Sequence, residues 1–596
     1  MWLGVSLAVL FYQTDFYLMT NFAGRLTMVA IIALGFCLPT AARKTNVPQV
    51  APYAQTMLSG ELSTRVQRNM LRLEEEKYQP QNVFLTEEQS LDWPGDTEGR
   101  TILALTLDAQ ASHRTPKYLD EIIRLVPAHL NAQGYMGTIH PGIAHEQQLS
   151  GNGWMLRALC EYYGWKKDDG VRQVISSIAR NLFLPLTDKF AAYPIRPEDR
   201  VQGKGAESGS IVASRDGWAL STDVGCVFIG MEGLIHAYAV LGDEELRKPI
   251  ETLIDRFLQV DLTGIKAQTH ATLTACRGLL RYAALTGQSR YVREAETRFR
   301  LYVAEGMTEN YENYNWFDRF DTWTEPCAIV DSYMLAVQLW QQTLKPEYLE
   351  YAELIYYNAI CHTQRHNGGF GCDNCPGKAI GSMRLAVSAP EAHWCCTMRG
   401  GEGLSAAVRY TCFSRGKDVW MPFLRSGSFT MPLSRGALSM EVSTGYPFDG
   451  HVEVAVKDNS AGQVSLRLPA PSWTTGAQLT LNGKPVTARH EQGFLVLKRK
   501  FMPGDRVVLD FQMPVRVEKP LNSANMDASW RRIFAGPLML GSDQPTDITL
   551  PQTPQWQREG KAEWSVKGTG IRLTPLYHLL DSRVWSDTGY SKQILF

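Results

Sequence analysis

The sequence predicts a mainly α-helical protein with a β-rich C-terminal part: an (α/α)6 barrel followed by β-sandwich domains. Three observations carry this. Between about residues 60 and 415, apolar helices rich in small residues alternate with charged amphipathic ones at a loose ~45-residue spacing. The connecting loops vary too much in length for a regular open stack, so a closed ring of six helical hairpins fits better. Beyond about residue 415 the apolar period shortens to two, the signature of strands.

The elements follow in order. "MTNFAGRLTMVAIIALGFCLPTAARK" has a basic start at Arg25, an apolar run from Leu26 to Leu38, and small residues at Thr40, Ala41 and Ala42. That is the pattern of a signal peptide, and the run is too short for a comfortable membrane span. The first 18 residues read as an upstream extension, so residues 1–42 are assigned to extension plus leader, and the mature chain is expected to be periplasmic or secreted. Residues 43–415 are assigned to the barrel. Its apolar helices include "GWMLRALCEYY", "MEGLIHAYAV", "ATLTACRGLLRYAAL" and "IVDSYMLAVQLWQQ". Each is followed by a charged partner such as "LGDEELRKPIETLIDRFL" or "TGQSRYVREAETRFRLYV". Earlier helices are expected near "TILALTLDAQ" and "YLDEIIRLVPAHL". Residues 416–519 form a β-sandwich, with strands such as "ALSMEVSTGY", "HVEVAVKD" and "QVSLRLPA" and a hairpin turn in "LNGKPV". Residues 520–596 form a second β domain, including "WRRIFAGPLMLGS" and "GIRLTPL".

A chain of 596 residues with 44% apolar and 20% charged residues is ordinary globular protein. Its net charge of -1 gives no support for nucleic acid or an anionic membrane as a partner. Beyond the leader stand ten cysteines, an even number that permits disulfides in an exported protein. A chain this long can build a core without such staples, so metal binding and catalysis compete with bridging.

Two clusters carry the chemistry. "TWTEPCAI" sets Glu325 and Cys327 two apart before a helix, and "EAHWCCTMRG" holds the adjacent Cys395 and Cys396. Neighbouring cysteines pair badly with each other, because the ring they would close is strained. Three thiolates and a carboxylate could instead close a tetrahedral Zn2+ site, soft sulfur favouring zinc over magnesium or calcium. "GFGCDNCPG", with Cys372 and Cys375, is a rival: that spacing serves zinc, redox exchange or a local disulfide. Cys160, Cys226, Cys276 and Cys412 lie in apolar runs and read as core.

"TEPC", "HWCC", "LRLPAPSW…LTLNGKPV" and "FMPGDRVVLDF" together resemble glycoside hydrolase family 127, whose founding activity is β-L-arabinofuranosidase. The resemblance spans about residues 60–590 and implies a barrel followed by β-sandwich domains. It implies Glu325, Cys327, Cys395 and Cys396 as zinc ligands and Cys395 as nucleophile. The family's general acid/base is a Glu sixteen positions before the Glu of Glu-x-Cys, which here is Glu309 in "MTENYENY", flanked by Glu305 and Glu312. In a retaining mechanism a nucleophile and an acid flank the scissile bond, and a bound cation keeps a thiol ionised at neutral pH.

The pattern departs from the family in the sugar pocket. The tandem cysteines are followed by Thr397, Met398 and Arg399 rather than two prolines and an asparagine. Cys226 and Gly233 stand where the family suggests histidines, while His270 in "QTHATL" matches a pocket histidine. Arg399 could grip a substrate carboxylate or pair with Glu402 or Glu391 on a structural loop. The first option leads to an acidic or branched furanose, such as aceric acid in plant pectin, in place of plain L-arabinofuranose. The expected function is an exo-acting retaining glycoside hydrolase acting on plant cell-wall oligosaccharides. The alternatives are a polysaccharide lyase and a non-catalytic carbohydrate-binding protein with structural zinc.

Overall fold

Each amphipathic helix buries one stripe, and the barrel follows from closing those stripes on one another. A computed structural model describes residues 47–89, 93–200, 208–474, 476–580 and 591–596, without the side chains of residues 85–89. The expected leader lies outside the described residues. Six inner helices form the ring: α1 (Asp96–Ser112), α2 (Glu146–Lys166), α3 (Val227–Leu241), α4 (Thr269–Thr286), α5 (Pro326–Thr343) and α6 (Cys396–Arg409). Each packs on the next, and α6 packs back on α1, which closes the circle.

Outer helices return the chain between inner ones: Leu119–Leu125, Asp169–Ile178, Arg247–Leu258, Arg290–Leu301 and Glu347–Ile355. The sixth hairpin joins chain segments far apart, for Glu61–Arg72 packs outside both α6 and α1. Local chemistry sets the ends. Asp168 caps its helix by accepting from the Gly170 and Val171 amides, and Lys167 takes a left-handed φ of 58° to end α2. Because an outer helix intervenes at every step, all six inner helices point the same way and their N-termini gather at one end.

Glycine sets how closely α2 and α3 approach. A Cβ on Gly233 would sit 2.3 Å from the Gly153 carbonyl oxygen, and one on Gly153 would sit 2.6 Å from the Gly230 Cα. Backbone touches backbone here, so no side chain fits at 233. Cys226, just ahead of α3, is fully buried.

The β part holds two facing sheets. One has seven strands in the order Lys484–Val486, Gln478–Leu481, Arg506–Asp510, His451–Asn459, Ala437–Thr444, Gly427–Pro432, Thr56–Leu58. The other has six: Gln49–Val50, Phe413–Arg415, Asp418–Trp420, Gln463–Pro469, Phe494–Lys500, Arg489–Glu491. Alternate residues Val452, Val454 and Val456 bury into one apolar cluster with Leu466 and Leu468. Asn482 and Gly483 both take positive φ in the hairpin that pairs Leu481 with Lys484. Both sheets carry an edge strand from residues 49–58, ahead of the barrel.

A third sheet of six strands spans residues 515–575 and has its own small core around Ile533, Leu540 and Leu573. Near the end of the chain, Ser591–Gln593 pairs with Arg384–Ala389, which also pairs with Cys372–Asn374 beside the barrel mouth. Among the described residues no helix is long and apolar enough to cross a membrane.

Candidate active site

The gathered N-termini open into a cleft of about 650 Å³, a size suited to a small ligand. Asp96 and Arg100 of α1, Asp223 ahead of α3, His270 of α4, Glu325 ahead of α5, and Cys395 and Cys396 at the start of α6 all line it. Trp93, Trp323 and Trp394 supply aromatic walls, and Trp394 is 54% exposed.

Glu325 is the residue before α5, with Pro326 at the first helical position, which places Cys327 in the first turn. Cys395 is the residue before α6, and the Cys396 amide donates to the Ala392 carbonyl at 2.9 Å. That tight turn aims both thiols inward. It is tied down by Glu391, which accepts from Arg72 at 2.9 Å and from the Thr397 hydroxyl at 2.9 Å. Two helix N-termini therefore converge on the sulfurs, and their partial positive charge favours thiolates.

The Sγ atoms of Cys395 and Cys396 are 3.3 Å apart, and those of Cys327 and Cys396 3.8 Å. Zn–S bonds of about 2.3 Å in a tetrahedron put sulfurs about 3.8 Å apart. The three Sγ atoms lie within 4.8 Å of one another, as do ligand atoms of His270, Glu325 and Cys327. Glu325 Oε2 is buried with no hydrogen-bond partner. Three sulfurs, a carboxylate oxygen without a donor and a buried setting fit a zinc ion. All ten cysteines of the described chain are free. Cys372 lines the cleft, whereas the Cys375 thiol faces the Asn313 carbonyl at 3.6 Å.

The electrostatics centre on Cys327. Burial opposes its ionisation, but the Cys395 and Cys396 thiols, Arg100 and His270 hold its pKa well below the ordinary thiol range. Arg100 Nη1 donates to Cys327 Sγ at 3.3 Å. Cys395 is pushed up, chiefly by its hydrogen bond to Cys327, and burial pushes Cys396 up. Burial lowers the His270 pKa, yet Glu325 and Asp331 outweigh it and lift it to about 9. The imidazole bridges Glu325 at 3.4 Å and Asp331 at 3.3 Å.

Arg399 is turned away from the cleft. One turn into α6 it is 1% exposed, pairs with Asp331 at 2.8 Å and with Glu402, and lies over the Trp154 ring. Arg157 and Arg277 join the same network with Glu232, Asp331 and Glu402. The guanidinium is occupied inside the barrel, so the expected grip on a substrate carboxylate gives way to the structural pairing with Glu402. Glu391 pairs with Arg72 instead.

The structure does not bring Glu309 to the cleft either. It is fully buried, its oxygens accept from the Leu521 and Asn522 amides at 2.7 and 2.8 Å, and Arg532 lies 3.3 Å away. It clamps the loop between Val515–Glu518 and Arg532–Ala535 onto the barrel. Glu312 is equally buried, beside His362 and Asp373. Burial and the neighbouring Asp373 push its carboxyl well above the ordinary range. Asp373 answers Arg365 at 3.0 Å.

Asp223 is a cleft residue that the sequence reading passed over. Burial, then the charge of Glu325, raises its pKa to about 7. Its only sequence signal is a lone acid between the apolar stretches "WAL" and "CVFIG".

The comparisons agree with this architecture. A family model for the β-L-arabinofuranosidase GH127 catalytic domain matches residues 62–408, and one for the GH127 middle domain matches residues 425–513. A non-reducing end β-L-arabinofuranosidase of Bifidobacterium longum is 27% identical over 269 residues, which is 41% of this chain and 38% of that protein's length. A solved GH127 β-arabinofuranosidase superposes with a TM-score of 0.69 at 15% identity, covering 92% of this chain and 98% of its own. A GH127 β-L-arabinofuranosidase from Geobacillus stearothermophilus gives 0.67 at 15% identity over 91% of this chain and 99% of its own. With the catalytic-domain model matched across more than half its length, the chain belongs to glycoside hydrolase family 127, the β-L-arabinofuranosidase family.

Proposed function

We propose that this protein is an exo-acting retaining glycosidase that removes a terminal neutral furanose, of the L-arabinofuranose kind, from plant pectic glycans. Cys395 is the nucleophile, and Glu325, Cys327, Cys395 and Cys396 hold Zn2+. The observation that carries this is the set of three sulfurs at two converging helix N-termini, inside an aromatic-walled cleft.

Zinc, when bound, keeps Cys395 as a thiolate at neutral pH. The Cys395 sulfur attacks the anomeric carbon. The bond to the leaving oxygen breaks, and that oxygen takes a proton from a general acid. Water then attacks the same carbon and gives a proton back to that group, the carbon–sulfur bond breaks, and the thiolate returns. Two displacements retain the configuration. Arg100, against Cys327 and paired with Asp96 at 2.6 Å, steadies the sulfur cluster. His270 orients Glu325. The tryptophans offer faces for the sugar, and exposed Trp394 marks the entrance.

A neutral sugar follows from the charges. Among the described lining residues the cations are Arg100 and His270, and both are already paired with acids. The leader motif supports export, where such glycans are met. The test is a panel of arabinan and pectic oligosaccharides with matched neutral and carboxylated termini, assayed for released monosaccharide. Release from neutral furanosides supports the reading. Release only from carboxylated termini, or an unsaturated ultraviolet-absorbing product, contradicts it.

A further inference from the structure

We infer that Trp394 builds the subsite for the leaving group and that this group is a sugar ring, an assignment that deepens the glycosidase reading above and rests on it. Trp394 is the residue before Cys395, so their Cα atoms stand about 3.8 Å apart, and both line the cleft. They differ in depth. Cys395 is half-buried, and Cys396 behind it is buried. Trp394 is 54% exposed, and every other tryptophan among the described residues is buried or half-buried. An indole ordinarily hides most of its large apolar surface.

The exposure is built into the turn. The Tyr78 hydroxyl donates to the His393 carbonyl at 2.9 Å, and the Cys396 amide donates to the Ala392 carbonyl at 2.9 Å, so the backbone is pinned on both sides of Trp394. Glu391, at the start of the turn, accepts from Asn367 at 2.9 Å as well as from Arg72 and Thr397. The His393 ring props the indole edge-on, with centroids 5.0 Å apart and planes at 79°. The other two wall tryptophans are held further in. Trp93 Nε1 donates to the Gly209 carbonyl at 3.0 Å, and Trp323 packs edge-on against buried Trp316 at 5.4 Å.

The route of the glycan supplies the second argument. One turn into α6, below the sulfurs, the barrel is filled: Arg399 and Trp154 are buried and stack on each other at 4.6 Å. A terminal furanose seated at Cys395 therefore has the rest of its glycan running out through the mouth, past Trp394. The leaving group is the first unit on that path. A sugar ring carries its hydroxyls at the rim and C–H bonds on its faces, so it covers an open indole face while its polar rim stays in water. A small alcohol leaves the indole wet.

The test compares methyl β-L-arabinofuranoside with the disaccharide that carries the same furanose on a second pentose ring. Both release an alkyl oxygen, and only the disaccharide offers a leaving ring to stack. Trp394→Ala should lose about tenfold or more in kcat/KM on the disaccharide, the scale on which one lost apolar contact discriminates between substrates, and far less on the methyl furanoside. Trp394→Tyr, which keeps a flat ring, should recover most of the disaccharide rate. Trp394→Leu, which keeps apolar bulk without a flat face, should not, and it carries the same readouts should the Ala variant not fold. A merely structural role would not change the ratio between the two substrates. Equal losses on both, or a ratio unchanged from wild type, overturn the inference and leave the glycosidase reading standing. A wild-type enzyme that releases no sugar from any glycan sinks the glycosidase reading itself, and this assignment with it.

Discussion

The Sγ atoms of Cys327 and Cys396, at the first turns of adjacent inner helices, stand 3.8 Å apart, the edge of a zinc–thiolate tetrahedron. Purified protein should therefore carry about one zinc per chain by elemental analysis. Cys396→Ser should lose most of it. Cys375→Ser should keep it, because that thiol faces the Asn313 carbonyl. Chelation should abolish activity, and added zinc restore it. Unchanged metal in Cys396→Ser, or metal lost only from Cys375→Ser, would refute the ligand set.

Arg399→Met should behave as a stability variant. The change takes one guanidinium out of a buried network in which Arg277 still pairs with Asp331 and Arg157 with Glu402, so the loss should fall at or below the about 3–5 kcal/mol typical of a buried pair left with an unpaired charge. Thermal melting should show a large drop, with kcat/KM for neutral and carboxylated sugars falling by the same factor. A selective loss for the carboxylated sugar would restore Arg399 as a substrate ligand.

Glu309→Gln tests the clamp. An amide offers one acceptor where the carboxylate offers two, and its NH2 would face an amide N–H or Arg532. Faster proteolysis near residues 519–531 and a lower Tm are expected. A variant as stable as wild type would remove the clamp reading.

Asp108 makes a pH prediction. Buried on α1, it accepts from the Ser405 hydroxyl on α6 at 2.6 Å. Burial raises its pKa from 3.8 to about 7. A carboxyl raised in the folded state contributes stability that is present below about pH 4 and lost as pH rises through about 7. Asp108→Asn stays neutral throughout. Its Tm relative to wild type should rise between pH 4 and 8 and level off beyond. A constant difference would mean that Asp108 does not titrate in that window.

How much of this the sequence shows depends on how local the determinant is. Glu-x-Cys and Cys-Cys are legible because each sits at a helix start, where neighbouring residues decide which way a side chain points. The ring itself is legible because its period recurs six times. Arg399 misleads. Position i+4 from Cys395 shares its helix face but lies one turn deeper, and only the fold puts Asp331 there. For Glu309 a spacing count is blind to its partners, which are 212 and 213 residues away in the β part. The strands at residues 49–58 are too short to show a period, yet they finish the edges of two sheets.

The central claim is that Cys395 bonds to the sugar. It is tested most directly by acid-quenching wild-type enzyme during turnover of a nitrophenyl furanoside and mapping peptides by mass spectrometry. A pentosyl mass on the peptide bearing Cys395, absent from Cys395→Ala, is the predicted result. A pentosyl mass on any other residue, or full turnover by Cys395→Ala, would contradict it.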